Sequence, residues 1–348
     1  MGGGVPRAAG HPLLRPLGPP RGGGVVSPRA AIGLDVGGTA TKAVVCDEDG
    51  SVLARHQLPT PYRGAVGLMD TLAEAVAALE RQVPGVPLEP TVGLAVPGIV
   101  DDTRGVAVKA TNLDFAETPL AAQLADRLGR PSRLGHDVRA GGVAELRWGA
   151  AAGHESVMFI PVGTGIATAL VLDGRVVVSG GYAGENGHAL IRDPATGETV
   201  LMERVASAAA VARRWSERTG RSAAGSLDVF AAAAEGDPVA AAVIDEAVTA
   251  MADVLACQLT LVGPIPVVVG GGLSRAGEAY LQPLREALDA RLVLSGAPPV
   301  VPAQLGSWAG AMGSAALALQ GPTHHPSSPQ TPSNPQTPSN PQSKEHSR

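Results

Sequence analysis

Asp35-Val36-Gly37-Gly38-Thr39 stands where an alternating apolar run stops, with Thr41-Lys42 just behind it. Gly37 and Gly38 let backbone N–H groups approach an anion with no Cβ in the way. Thr39 adds a hydroxyl donor and Lys42 a cation. Asp35, at the strand end, offers the hard oxygen that Mg²⁺ takes through water. An ordinary hairpin turn uses the same residue types. Gly163-Thr164-Gly165 ends a second apolar run at the matching place in the other half of the chain, and Gly270-Gly271-Gly272 ends a third. Each turn alone is a weak signal. Two Gly-Thr turns at corresponding strand ends are much harder to obtain by chance, and they read as paired phosphate loops. The third cluster suits close approach of a nucleotide's sugar or base, or a tight turn before a helix.

The elements that must position these turns follow from the pattern. Residues 31–58 read as three short strands, with Ile32, Leu34 and Val36 alternating and GlyGly and AspGly at the turns. Residues 64–83 read as a helix striped by Leu68, Leu72, Val76 and Leu79. A strand at 91–98, a helix at 117–129, a strand at 132–135 and a helix at 138–150 complete the first half, with Asp137 as a possible helix cap. The second half restarts with a strand at 156–165 and a hairpin at 167–180. Helices at 201–219 and 237–262, a strand at 266–272 and helices at 277–290 and 306–319 follow. Two α/β halves with one rhythm predict a ligand cleft between them, each half supplying a phosphate loop.

Composition narrows the function classes. The chain has 348 residues, 45% hydrophobic and only 3% aromatic, so Ala, Val and Leu fill the core. Residues 1–30 hold 8 Gly, 6 Pro and four Arg with no acid, and 321–348 repeat PQTPSN. Both tracts read as disordered, because they have too little apolar surface to offset chain entropy. The folded part is then 31–320, where 21 basic against 31 acidic side chains leave a charge of −10. That argues against a general nucleic-acid binder, which needs basic surface. Cys46 and Cys257 allow no disulfide framework or Cys-rich zinc cluster and read as small buried hydrophobes. No apolar run approaches a membrane-spanning length, and the start lacks a secretory apolar stretch. The expectation is a cytoplasmic protein without a membrane or nucleic-acid partner, and a homodimer.

A wider set of segments resembles the ROK sugar kinases of the actin-like, hexokinase-type superfamily. It comprises DVGGTATK (35–42), VPGIVD (96–101), TNLDF (111–115), GHDVRAGGVAELRWGAA (135–151) and VGTGIATALVLDGRVVVSGGYAGENGH (162–188). MERVAS (202–207), VVVGGGLSRAG (267–277) and LGSWAGAMGSA (305–315) complete it, so the resemblance covers nearly all of 31–320. It implies a two-domain actin-like (ribonuclease H-like) α/β fold with an interdomain cleft. The small domain would be 31–135 plus 306–319, and the large domain 136–305. Asp137 matches the family's catalytic aspartate, the proton acceptor of a sugar 6-hydroxyl. Asn112 and Asp114 fall at sugar contacts, and Glu185, His188 and Glu203 match three sugar-hydroxyl ligands. ATP and Mg²⁺ are the implied donor and metal, and glucose is the first acceptor. Another hexose, an N-acylhexosamine, polyphosphate as donor and a catalytically weak sugar-binding regulator remain alternatives. Three departures stand out. The family's CxCGxxGCxE zinc loop is replaced by a cysteine-free segment after His188, so no structural zinc is expected. His136 replaces the usual Asn before the catalytic Asp. Ala167 and Thr168 replace glycines and are expected to narrow the room over the phosphates.

Overall fold

A computed structural model describes residues 29–61, 65–110 and 113–321. The two tracts read as disordered lie outside the described residues except at their inner edges. Ala30 is buried in the first strand and Arg29 donates to Leu319 O, so the folded chain starts before the expected residue 31.

The chain opens with an antiparallel meander, β1 (Ala30–Val36), β2 (Ala40–Asp47) and β3 (Val52–Pro59). Helix α1 (Ala65–Gln82) leads to β4 (Leu88–Val96), which lies parallel to β1. A separate small sheet, β5 (Ile99–Asp101), β6 (Val106–Ala110) and β7 (Phe115–Thr118), comes next, then α2 (Leu120–Leu128). Strand β8 (Ser132–His136) pairs parallel with β4 and runs straight into α3 (Asp137–Trp148).

The second half repeats the plan with β9 (Val157–Pro161), β10 (Ala169–Leu172) and β11 (Arg175–Val176). A two-stranded hairpin, β12 (Leu190–Arg192) and β13 (Thr199–Leu201), precedes four helices: α4 (Glu203–Ala206), α5 (Ala208–Thr219), α6 (Ser226–Ala234) and α7 (Pro238–Val262). Strand β14 (Val267–Gly270), α8 (Glu278–Asp289), β15 (Val300–Pro302) and α9 (Ala309–Ala318) close the chain. The main sheets run β3-β2-β1-β4-β8 and β11-β10-β9-β14-β15, the same order twice.

Each sheet has its own core. Leu68, Leu72, Val76 and Leu79 of α1 pack on Ile32, Leu34 and Leu94, as their 3.6-residue spacing requires. In the second half α7 buries Val243, Ala247, Met251, Leu255 and Leu259 against Ile160 and Val269. Cys46 is buried as expected, but Cys257 is exposed, because it lies on the α7 face opposite that stripe. The other face of the first sheet is covered by α9. A Cβ at Gly33 would overlap Ala311 O, and one at Gly93 would overlap Ser314 O. Strand β1 is therefore buried on both faces, although its large residues alternate. Helices α3 and α9 meet as closely, since a Cβ at Gly313 would overlap Ala140 O.

Candidate active site

Strands β1 and β8 of the first sheet and β9 and β14 of the second lead at their carboxyl ends to Asp35, His136-Asp137, the Gly163 turn and the Gly270 turn, the end of α/β sheets where ligands bind. Asp35 ends β1 and stands opposite Lys42 on β2. Burial pushes its pKa up to about 7, the nearby Asp137 adds to the rise, and Lys42 opposes it. Gly310, in the first turn of α9, leaves room for it, because a Cβ there would lie 2.6 Å from Asp35 Oδ2. Lys42 Nζ donates to Ser307 O at 2.7 Å, ahead of that helix. Gly38 and Thr39 are exposed, and a Cβ at Gly38 would meet nothing within 4 Å. Thr60, unnoticed in the sequence, donates to Gly37 O at 2.7 Å. Its single proton is then used, so in its 3.0 Å contact with Thr41 the Thr41 hydroxyl donates.

Asp137 is the first residue of α3 and not its cap, as its sequence position had suggested. The cap is His136, whose Nδ1 accepts from the Arg139 N–H at 3.4 Å, the bond an asparagine oxygen makes in that position. Accepting at Nδ1 places the proton on Nε2, which faces Asp137 Oδ1 at 3.3 Å and Glu185 Oε1 at 4.0 Å. Desolvation holds His136 below the ordinary histidine pKa against the pull of Asp137 and Glu185, so it is neutral at pH 7. Asp137 Oδ1 also accepts from Val138 N–H at 2.7 Å.

Arg139 was not foreseen. Its guanidinium donates to Val100 O at 3.0 Å, Asp102 Oδ1 at 2.7 Å and Gly181 O at 3.3 Å. It thereby ties β5 to the segment that leads to Glu185. No local pattern reveals it, because its acceptors lie about forty residues away on either side.

The second and third glycine turns lie side by side. Val162 N–H donates to Gly270 O at 3.0 Å and Leu273 N–H to Val162 O at 3.1 Å. Gly271 has φ 77°, and a Cβ there would stand 2.5 Å from Val162 O. Gly163 and Thr164 border open space, Gly163 O accepts from Ala208 N–H at 3.0 Å, and Gly272 starts the turn to Leu273. A Cβ at Gly165 would lie 3.0 Å from Glu203 Oε2, so that carboxylate borders the loop. His188 Nδ1 stands 3.6 Å from Glu185 Oε2, which joins His136, Asp137, Glu185 and His188 into one run of polar side chains.

Among the described residues, Asp114, Ala167 and Thr168 are not tied to that run by a hydrogen bond or ion pair. Asp114 is exposed with φ 58°, at the edge of β7, and Asn112 lies outside the described residues. Thr168 is buried and its N–H donates to Gly184 O at 2.8 Å, so it packs on the segment before Glu185 and does not overhang the loop as expected. Ala167 is half-buried. Among the described residues no group of three or more His, Cys, Asp or Glu is arranged to hold a metal ion. Among the same residues no helix is long and apolar enough to cross a membrane.

Residues 31–321 match the model of the ROK family. The chain belongs to the ROK family. It is 30% identical to the glucokinase of Streptomyces coelicolor, over 82% of this chain and 96% of that one. An N-acetylgalactosamine kinase of Shewanella is 28% identical, over 82% and 95%. The ROK hexokinase of Thermus thermophilus superposes with a TM-score of 0.73 at 33% identity, covering 84% of this chain and 99% of that one. The ROK glucokinase of Streptomyces griseus, solved with glucose and AMPPNP, gives 0.71 at 32% identity over 84% and 100%. This ROK chain thus has the two-domain actin-like α/β fold, and it is a sugar kinase.

Proposed function

We propose that this kinase transfers the γ-phosphoryl group of ATP to the 6-hydroxyl of a hexose, with glucose the preferred acceptor. The observation that carries the reading is the meeting of Asp137, His136, Glu185 and His188, with Asp35 near enough to feel the Asp137 charge. We put glucose ahead of the N-acylhexosamines on the Streptomyces griseus structure with glucose and AMPPNP, at 32% identity, and on the Streptomyces coelicolor glucokinase, matched over 96% of its length; an N-acetylmannosamine kinase of Yersinia pseudotuberculosis, also 30% identical, is matched over 85% of its length.

The chemistry follows from the residues. The Asp137 carboxylate accepts the 6-hydroxyl proton as that oxygen attacks phosphorus. Neutral His136 keeps Nε2 3.3 Å from Asp137 Oδ1, and the Val138 N–H fixes that same oxygen, which leaves Oδ2 to act. Glu185, His188 and Glu203, with Asn112 and Asp114 from the first half, bind the remaining sugar hydroxyls. Gly37, Gly38 and Thr39 on one side, and Gly163, Thr164 and Gly165 on the other, hold phosphates by backbone N–H and hydroxyl groups. Gly270, Gly271 and Gly272 border the nucleoside.

Mg²⁺ fits the site. Asp35 and Asp137 are close enough for each to oppose the other's charge, and Lys42 spends its nearest bond on Ser307 O. Asp35 would hold Mg²⁺ through water, and the cation would offset that repulsion and supply positive charge for the transferring phosphate. The domain assignment that accompanies this reading keeps β1–β8 with α9 in one body and β9–β15 in the other, with α3 at the seam. Closure of the two around sugar expels water that would otherwise hydrolyse ATP.

ADP release measured across a panel of sugars tests the reading. Glucose should give the highest kcat/KM. A higher value for N-acetylmannosamine or N-acetylgalactosamine would overturn the acceptor, and faster turnover with polyphosphate in place of ATP would overturn the donor.

A further inference from the structure

The cysteine-free segment between His188 and Glu203 folds as the β12–β13 hairpin, and its attachment to the body is uneven. Leu190 is 70% exposed, and residues 194–199 are exposed throughout. Asp193 is the buried exception at 5% exposure. It shapes the hairpin turn, taking Ala195 N–H on Oδ1 at 3.0 Å while its own N–H donates to Glu198 O at 2.8 Å. The same carboxylate receives both arms of the Arg214 guanidinium, Nη1 on Oδ2 at 2.8 Å and Nη2 on Oδ1 at 2.9 Å. Arg214 Nη2 also reaches Glu246 Oε2 on α7 at 2.9 Å, and Glu246 is gripped by Arg218 with two bonds of 2.7 Å. Next door, Arg213 donates to Arg204 O at 2.7 Å, on the short helix that begins with Glu203. Helix α5, which carries all three arginines, starts at Ala208, whose N–H holds Gly163 O.

We propose that Arg214 is a positioning residue for the sugar site. It fastens the hairpin at Asp193 so that His188 on one flank and Glu203 on the other keep a fixed separation, registered through α5 to the second phosphate loop. The inference rests on the reading that His188 and Glu203 bind sugar hydroxyls. A two-armed bond fixes direction as well as distance, which a single ammonium contact does not. Both side chains are mostly withdrawn from water, at 12% exposure for Arg214 and 6% for Asp193, so solvent screening does not dissolve the pair. The backbone tie at the base of the hairpin, Met202 N–H to Ala189 O at 2.9 Å, holds the two strands together but not the hairpin to the body. Ile191 and Val200 add apolar contact without setting an angle.

Steady-state kinetics of the full chain test the proposal with Asp193→Asn, Arg214→Lys and Arg214→Met, glucose and ATP being varied separately. Arg291→Met, which breaks an exposed pair between the residue just beyond α8 and Asp253 of α7, is the control. Loss of the two-armed bond should raise the sugar KM by roughly 10- to 100-fold while kcat and the KM for ATP stay within about twofold. Arg214→Lys should fall between wild type and Arg214→Met, and the control should match wild type. If Arg214→Met fails to fold, the nearly isosteric Asp193→Asn carries the test. An unchanged sugar KM in Asp193→Asn would overturn the proposal, as would a common rise in both KM values with a lowered melting temperature. His188→Gln and Glu203→Gln separate the two readings. If they leave the sugar KM unchanged, the sugar-site assignment falls and this inference with it. If they raise it and Asp193→Asn does not, this inference alone falls.

Discussion

The two Gly-Thr turns proposed to hold phosphates occupy the same place in two sheets of the same strand order, and they are built differently. Asp35-Val36-Gly37 ends β1 as Pro161-Val162-Gly163 ends β9. The first turn adds side chains, Thr60 on Gly37 O and Lys42 on Ser307 O, to its main-chain bonds of Gly37 N–H to Ala40 O and Thr60 N–H to Thr39 O, and it keeps an acid at the strand end. The second is held by main chain, with Ala208 N–H on Gly163 O and Leu273 N–H on Val162 O, and it has proline where the acid would stand. A duplicated scaffold thus separates two duties. One turn manages charge, and the other manages shape. That division predicts that variants on the first side change chemistry and pH dependence, whereas variants on the second change folding and nucleotide fit.

The largest effect expected is on the charged side. Asp137→Asn should retain the fold and sugar binding but lose roughly 10²–10⁴-fold in turnover, measured by ADP release and by sugar titration. Near-normal turnover would remove Asp137 from its role and erase the asymmetry. Asp35→Asn comes next. Because the native pKa is raised to about 7 from an ordinary carboxylate value, the folded protein binds the extra proton, and stability falls as pH rises from about 4 to 7. The variant should therefore melt higher than wild type by a wide margin at pH 8 and a smaller one at pH 5, the two converging below about pH 4, and it should lose the Mg²⁺ response of wild type. Equal melting at both pH values would show that Asp35 carries no such strain.

On the shape side, Gly271→Ala should lower stability by about 1–3 kcal/mol for its left-handed backbone alone, with a further cost for contact with Val162. Thermal unfolding with and without nucleotide checks this, and a neutral result would show that the second turn tolerates a side chain. The smallest effect concerns His136. Its native pKa is depressed, so it is neutral at pH 7 and protonates only as pH falls below the ordinary histidine range. Protonation turns Nδ1 into a donor facing the Arg139 N–H and uncaps α3. His136→Asn should keep the cap and flatten the acid limb of the pH–rate profile, whereas His136→Leu should lose about 1 kcal/mol of stability. An unchanged acid limb in His136→Asn would assign that limb to another group.

Where the sequence was readable, the reason is local. The β1–β3 and β9–β11 meanders announce themselves by alternation and by AspGly tips, and α1 by its Leu and Val stripe. The glycine turns were visible because glycine marks backbone that a side chain would block. The run 201–219 was read as one helix, but it breaks at Ser207, which takes Ala210 N–H on its hydroxyl and caps α5. The sheet β5-β6-β7 was missed because its strands are three to five residues long and follow a ProGly turn. Helix α6 has four alanines among its nine residues, and its sequence shows no clear apolar stripe. For the candidate site, Asp137, Glu185 and His188 were legible as a motif. The grips of Arg139 and Arg214 were not, since each depends on acceptors brought near only by the finished fold.

The placement of α9 has a consequence for the order in which the protein assembles itself. Gly33 and Gly93 leave bare backbone on one face of the first sheet, and the only described helix laid against that backbone is made from residues 309–318. A ribosome makes β1 first and α9 near the end. Throughout synthesis the first body therefore holds an uncovered sheet face, while the second body can close over its own core. The last described helix acts as a delayed lid on the earliest described strands, and chaperone demand during translation should fall once residue 318 has emerged.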